Sequence, residues 1–222
     1  MGYELKFRSI WKNIDMIWEG LRYTLMVSLV AVLIGILLGI VAASCRTSRV
    51  KVLSVLATAY IEAIRNTPLL VQLWLFYFGL TQIGINMSAL TCGIMALGIN
   101  SGAYAAEIIR AGLESVDQGI LDAAASLGFT NGLINRKVKI PLAIRAVLPS
   151  LGNNVIQCLL ASSLLSVLGV NELTNQALRL SSKTYRTFES FIVIAVLYVF
   201  MTFAFLGVIK LIKKLTYKGS LH

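Results

Sequence analysis

What most constrains this chain is a succession of apolar runs, each long enough to cross a lipid bilayer as a helix. A hydrocarbon core about 30 Å thick needs about 20 helical residues. Five segments meet that length: 20–45, 52–80 (interrupted by Pro68), 87–113, 141–168 and 188–209. Only 14% of the residues are charged and the mean hydropathy is +0.79. A soluble domain carries about a quarter charged residues, so this chain lacks the polar surface that water requires. The expected fold class is therefore an all-α membrane protein with about five transmembrane helices, embedded in the lipid bilayer.

The net charge of +10 is spread in short basic clusters between the apolar runs. Lys and Arg concentrate on the cytoplasmic side of membrane proteins, and five spans put the termini on opposite faces. With the C-terminus inside, the inner segments hold eleven basic residues: Arg46, Arg49, Lys51, Arg136, Lys137, Lys139, Arg145, Lys210, Lys213, Lys214 and Lys218. The outer segments hold seven: Lys6, Arg8, Lys12, Arg22, Arg179, Lys183 and Arg186. The bias predicts an outer N-terminus and a cytoplasmic C-terminus in a multi-pass membrane protein. No aromatic–basic groove accompanies the charge, so no nucleic-acid partner is expected. Cys45, Cys92 and Cys158 stand singly beside apolar residues, without the spacing of a metal site or disulfide framework. No cleavable leader is expected either, because the first apolar run begins near Gly20 and is too long for one.

Residues 1–19 form a separate stretch. Ile10, Trp11, Ile14, Ile17, Trp18 and Leu21 recur at helical spacing, with Lys12, Asn13, Asp15 and Glu19 between them. Two readings fit: an amphipathic helix on the outer face, or an extension of the first span. The body of the domain is then 20–212, followed by a basic tail over 213–222.

The connection between the third and fourth spans, about 114–140, is the long one. A long loop that is neither repetitive nor disordered is usually functional. Asp117 is a plausible N-cap, and the residues after it favour helix through Leu127. Gly128 offers a left-handed C′ position. Thr130 or Asn131 can cap a second short helix reaching Lys139, with Pro141 opening the fourth span. The alanines on the first helix would let another protein's backbone approach closely, and Leu121, Leu127 and Phe129 would supply apolar anchors.

The run Asp122-Ala123-Ala124-Ala125-Ser126-Leu127-Gly128, followed by Ile140-Pro141, resembles the EAA loop of ABC-importer permeases, with Asp122 where Glu is usual. Tyr60-Ile61-Glu62-Ala63-Ile64-Arg65-Asn66-Thr67-Pro68-Leu69-Leu70-Val71-Gln72 is similar to a segment of polar amino-acid permeases, with Asn66 replacing Gly. The run from Asn100 to Arg110, the run from Leu148 to Asn153 and the run from Ser166 to Val170 match the same group. The chain thus resembles, from about Gly20 to Leu215, the permease subunits of type I ABC importers of the polar amino acid (histidine/glutamine-type) family. That resemblance implies a cytoplasmic coupling helix at Asp122–Gly128 with Ile140 and Pro141. It also implies a dimer of ATP-binding subunits docking there, a second permease copy or paralogue, and an extracytoplasmic substrate-binding protein. One departure is Leu160-Ala161, where relatives commonly carry Lys-Asp before the Ser162-Ser163-Leu164 run. Two charges are therefore missing from a pore-side helix.

Ionisable groups at membrane depth normally pair or face a cavity. Glu62 and Arg65 are three residues apart, as are Glu107 and Arg110, a spacing that allows pairing within each helix. If the two helices are neighbours, Glu62 meets Arg110 and Arg65 meets Glu107 instead. These four are either structural ion pairs or a network that holds the inward-facing side in one of two arrangements. Asn153 and Gln157 share one face of the fourth span, with Ser162 and Ser163 beyond. They either hydrogen-bond adjacent helices or border the translocation path.

No Gly-Lys dipeptide occurs, so there is no phosphate-binding P-loop, and any nucleotide is expected on a partner chain. Gly98-Ile99-Asn100-Ser101-Gly102 resembles an intramembrane serine-protease motif. The single histidine, His222, is however the last residue, and nothing else would activate the serine. No enzymatic activity, cofactor or metal is expected. The competing reading is a self-contained, ion-driven secondary amino-acid transporter, but such proteins are built from internal repeats, and none is visible.

Overall fold

The computed structural model describes residues 4–218. His222 and the end of the predicted basic tail lie outside the described residues. After a single turn at Arg8–Trp11, helix α1 runs unbroken over Ile14–Arg46. At 1.5 Å per residue its 33 residues reach about 50 Å, well beyond the hydrocarbon core. Its first turns therefore stand proud of the membrane, with Trp18 and the preceding Trp11 both 56% exposed. Of the two readings of 1–19, the stretch from Ile14 is an extension of the first span, and the boundary at 19/20 falls inside a helix.

Helix α1 packs along α4 (Ala89–Glu114) through small residues. A Cβ at Gly35 would lie 2.8 Å from Ser101 Oγ, and one at Gly39 would lie 2.6 Å from Ala105 Cβ. From the other side, Gly98 faces Ile34 and Gly102 faces Leu38. Small side chains bring helix backbones close enough for dispersion contacts to hold them where lipid gives no hydrophobic drive. Residue numbers rise together along the contact, so α1 and α4 run parallel. The chain between them must then return across the bundle.

That return is not one helix. Helix α2 (Lys51–Arg65) ends before Pro68, and α3 (Leu69–Gln82) carries the chain on. Proline has no N–H to donate and pushes the residue before it out of helical geometry. The predicted second span, 52–80, is thus two pieces. Among the described residues four helices, rather than five, are by themselves long and apolar enough to cross a membrane, and the broken pair α2–α3 makes the fifth passage.

Helix α5 (Gln118–Ser126) follows α4, and then one continuous helical segment, α6, runs over Asn131–Leu168. The predicted second short helix does begin at Asn131, with Thr130 at its N-cap, but it is not separate from the fourth span. A π-helical turn at Asn135–Lys139 joins it to the span instead. The ring of Pro141 would clash with the carbonyl four residues back, and a widened turn at that point relieves the conflict without ending the helix. Helix α6 runs antiparallel to α4, with Gly112 facing Val147 and Gly93 facing Leu165. It tightens to 3-10 geometry over Ser162–Leu168 and stops at Gly169, whose φ is +74°.

Helices α7 (Leu173–Thr184) and α8 (Thr187–Lys218) complete the bundle. The buried Glu172 carboxylate caps α7, accepting from the Thr174 and Asn175 N–H groups at 2.7 Å each and from the Tyr198 hydroxyl at 3.0 Å. Lys183 Nζ donates to Asn13 Oδ1 at 2.7 Å, so the start of α1, α7 and the start of α8 share one end of the molecule. The end of α1, α5, the start of α6 and the end of α8 share the other. One core cluster centres on Val27, Leu73, Leu97 and Leu165, and a second on Ile17, Leu159, Leu173 and Met201.

Candidate functional site

Three features of the chain carry chemistry: the α5 element, an ionic cluster near it, and a cavity between α4 and α6. The Asp117 side chain caps α5 by accepting from Ile120 N–H at 3.3 Å. Its far end is a Schellman closure: Phe129 N–H reaches the Ala124 carbonyl, Gly128 N–H reaches Ala125, and Gly128 takes φ +82°. Asp122 accepts from the Gln118 amide at 2.8 Å and Ser126 bonds back to the Asp122 carbonyl at 3.0 Å, both local helix contacts. Of the three alanines, Ala124 is buried and Ala123 and Ala125 face outward. Leu127 is 77% exposed, and Phe129 and Ile140 are also exposed, while Pro141 is half-buried. The result is a rigid short helix with small residues and apolar anchors uncovered, at the end of the bundle that carries Arg136, Lys137 and Lys139.

The ionic cluster centres on Glu107 of α4. Its Oε2 lies 2.6 Å from Arg46 Nη1 and 3.6 Å from Arg65 Nη1, while Oε1 pairs with Arg110, which also pairs with Glu114. The Arg65 guanidinium lies 5.5 Å from the centre of the Tyr104 ring. Of the four residues singled out in the sequence, three come together and Glu62 does not. Arg65, though exposed, lies one turn from buried Ile61 and so on the side of α2 that faces α4. Glu62, one residue round the helix, is exposed and forms no ion pair among the described residues. The Glu62–Arg110 pairing is therefore absent, whereas the Arg65–Glu107 pairing is present. Arg46 was not foreseen, because only the parallel packing of α1 on α4 brings it to Glu107; Glu114, four residues from Arg110 on α4, was a local signal that the sequence reading missed.

Between α4 and α6 lies a cavity of about 390 Å³. Asn100 and Tyr104 line it from α4, and Ser150, Asn153, Asn154 and Gln157 from α6. Asn153 and Gln157 thus face space rather than a neighbouring helix. Ser162 and Ser163 do not line it. Each hydroxyl donates at 2.7 Å to the carbonyl three residues back, at Leu159 and Leu160, within the tightened end of α6. Ala161, of the uncharged Leu160-Ala161 pair, does line the cavity. The sequence pointed to α6 but missed Asn100, whose spacing of four from Tyr104 was the available signal.

Comparison with known proteins agrees with this fold. The family described as "Binding-protein-dependent transport system inner membrane component" matches residues 35–216. The chain is 38% identical over 193 residues to the probable glutamine ABC transporter permease protein GlnM of Bacillus subtilis, covering 87% of this chain and 89% of that one. It is 37% identical over 190 residues to the nopaline transport system permease protein NocM of Agrobacterium fabrum, covering 81% and 79%. Among solved structures, the crystal structure of an amino acid ABC transporter with histidines superposes with a TM-score of 0.90 at 46% identity, over 96% of this chain and 99% of that one. An inward-facing MetNI methionine ABC transporter shares the fold, with a TM-score of 0.69 at 19% identity over 96% and 99%. With the family match spanning most of its length, the chain belongs to the family of binding-protein-dependent transport system inner membrane components.

Proposed function

We propose that this chain is the permease subunit of an ATP-driven importer of polar amino acids, with ATP hydrolysis on a separate subunit. The observation that carries the reading is α5: a capped helix with outward-facing Ala123 and Ala125 and uncovered Leu127 and Phe129, at the basic end of the bundle. The basic bias supports placing that end in the cytoplasm, with the N-terminus outside. An ATP-binding subunit dimer would grip α5, and a second copy or paralogue of this chain would complete the pathway. A substrate-binding protein would deliver the amino acid from outside. The names of the relatives support an amino-acid cargo.

The mechanism follows from having two packings of one bundle. ATP binding brings two ATPase subunits together, and α5 moves with its docking cleft. Rigid α1–α4 packing then carries that displacement to the α4–α6 cavity, which includes Asn153 and Gln157, as a tilt rather than a local deformation. The Glu107 cluster, at the α5 end of α4, stabilises one packing.

The test is vanadate-sensitive amino-acid uptake by proteoliposomes holding this chain with its ATPase and binding protein. Leu127→Asp should abolish uptake and co-purification of the ATPase while leaving the chain monodisperse. Uptake that survives Leu127→Asp, or that runs on an ion gradient without the ATPase, would overturn the reading.

A further inference from the structure

The hydrogen bonds around the cavity dictate which way its amides point. Gln72 on α3 is only 5% exposed. Its Nε2 donates into the α2–α3 break: to the Ile64 carbonyl at 2.8 Å, the Thr67 carbonyl at 3.1 Å and Thr67 Oγ1 at 2.8 Å. The Thr67 hydroxyl hydrogen is itself committed to the Ala63 carbonyl at 2.8 Å, so that oxygen receives. An amide carries its donors on nitrogen and its acceptor on oxygen, and the network around it decides the orientation. Gln72 therefore has one orientation, with Oε1 turned away from the break.

That Oε1 accepts from Asn100 Nδ2 at 3.0 Å. Asn100 is oriented in turn: its nitrogen faces Gln72, and its Oδ1 takes no hydrogen bond among the described residues. Asn154 repeats the arrangement from α6, giving Nδ2 to the Ser101 carbonyl at 3.1 Å and to Ser101 Oγ at 3.2 Å. Both asparagines line the cavity, each with its donor tied back and its carbonyl oxygen left over.

We propose that Asn100 Oδ1 and Asn154 Oδ1 form an acceptor pair for the ammonium group of the amino acid in transit. Gln72, which does not line the cavity, is the positioning residue that holds Asn100 as an acceptor. This rests on the reading of the cavity as part of the transport path. An ammonium has three donors and no acceptor, whereas a carboxylate would meet these oxygens lone pair to lone pair. Neutral oxygens also suit a transit site, which must attract its cargo and still release it. A charged partner would hold more tightly. Asn153 and Gln157, whose amides make no hydrogen bond among the described residues, remain free to adapt to the rest of the molecule.

The test is direct binding to the purified permease–ATPase complex without its binding protein. A panel of L-amino acids selects the best-bound one, and its 2-hydroxy analogue, which lacks the ammonium, serves as comparison. The analogue should bind at least about tenfold more weakly. Gln72→Leu should raise the Kd of the amino acid about tenfold and that of the analogue less than twofold. In an Asn100→Asp background, where both oxygens accept whatever residue 72 does, adding Gln72→Leu should cost less than twofold. Equal weakening of both ligands, additive losses in the double variant, or no amino acid binding at all would each overturn the proposal. ATP-driven uptake by the complete system would still stand in those cases, and its absence would mark failure of the broader reading instead.

Discussion

Glu107 holds Arg46 at 2.6 Å, joining the last turn of α1 to α4 across 61 positions of sequence. The same carboxylate also serves Arg65 and Arg110, so one acid neutralises three guanidinium groups arriving from three helices. Its removal leaves more positive charge behind than the loss of any one arginine would create.

Glu107→Gln should accordingly destabilise the protein by about 1–3 kcal/mol, the cost of stripping a partner from partly buried charged groups. Glu62→Gln should stay within about 0.5 kcal/mol, as expected for an exposed position. Thermal unfolding of the detergent-purified chain, followed by circular dichroism, measures both. Equal effects would mean that Glu107 is not the hub.

The α1–α4 contact is intolerant of side-chain bulk. Gly39→Leu places a side chain where even a Cβ comes within 2.6 Å of Ala105, whereas a Cβ at Gly207 on α8 would meet nothing within 4 Å. Overpacking costs about 1–3 kcal/mol and sometimes more. The yield of monodisperse protein should fall sharply for Gly39→Leu and hold for Gly207→Ala. The reverse order would contradict the packing described.

Gly128 closes α5 at φ +82° with open space around its Cα, so the cost of Gly128→Ala is backbone strain alone. A left-handed non-glycine residue costs about 1–2 kcal/mol. The closure should loosen without disturbing the bundle. Hydrogen exchange should rise at the amides of 127–129 and stay unchanged in α4, and ATPase affinity should weaken several-fold.

Glu172 lies between α6 and α7, outside the spans, and burial raises its carboxyl above the ordinary range. Over the window from about 4.3, the usual glutamate value, up to that raised value, the folded protein holds a proton the unfolded chain has released. The folded state binds more protons there, so this group's contribution is complete at low pH and is lost as pH rises. Glu172→Gln removes the titration. The wild-type advantage in Tm over Glu172→Gln should therefore narrow as pH rises through the window, and a widening advantage would reverse the assignment.

Much of this was legible residue by residue. The apolar runs required a bilayer, Pro68 broke the second passage, Asp117 and Gly128 bounded α5, and the alanine run with Ile140-Pro141 carried the family resemblance. These are local signals, set by chain length, missing N–H groups and backbone preference within a few residues. Gly35 and Gly39, and Gly98 and Gly102, are also four apart, but that spacing does not say which helix each pair faces.

The partners of polar groups were decided elsewhere. A carboxylate at position 107 can pair within its helix or across to any neighbour, and only the parallel seating of α1 on α4 brings Arg46 to it and leaves Glu62 outside. Likewise Asn100 could point either end of its amide at the cavity until Gln72, 28 residues away, orients it. Pro141 reads as a helix start, yet a π turn over Asn135–Lys139 keeps α6 continuous. The sequence alone determined the solvent, the apolar helices and the bounds of α5, because those depend on near neighbours along the chain. Ion-pair partners and amide orientation needed the tertiary structure, because hydrogen bonds and charges act between groups that only folding brings within 3 Å.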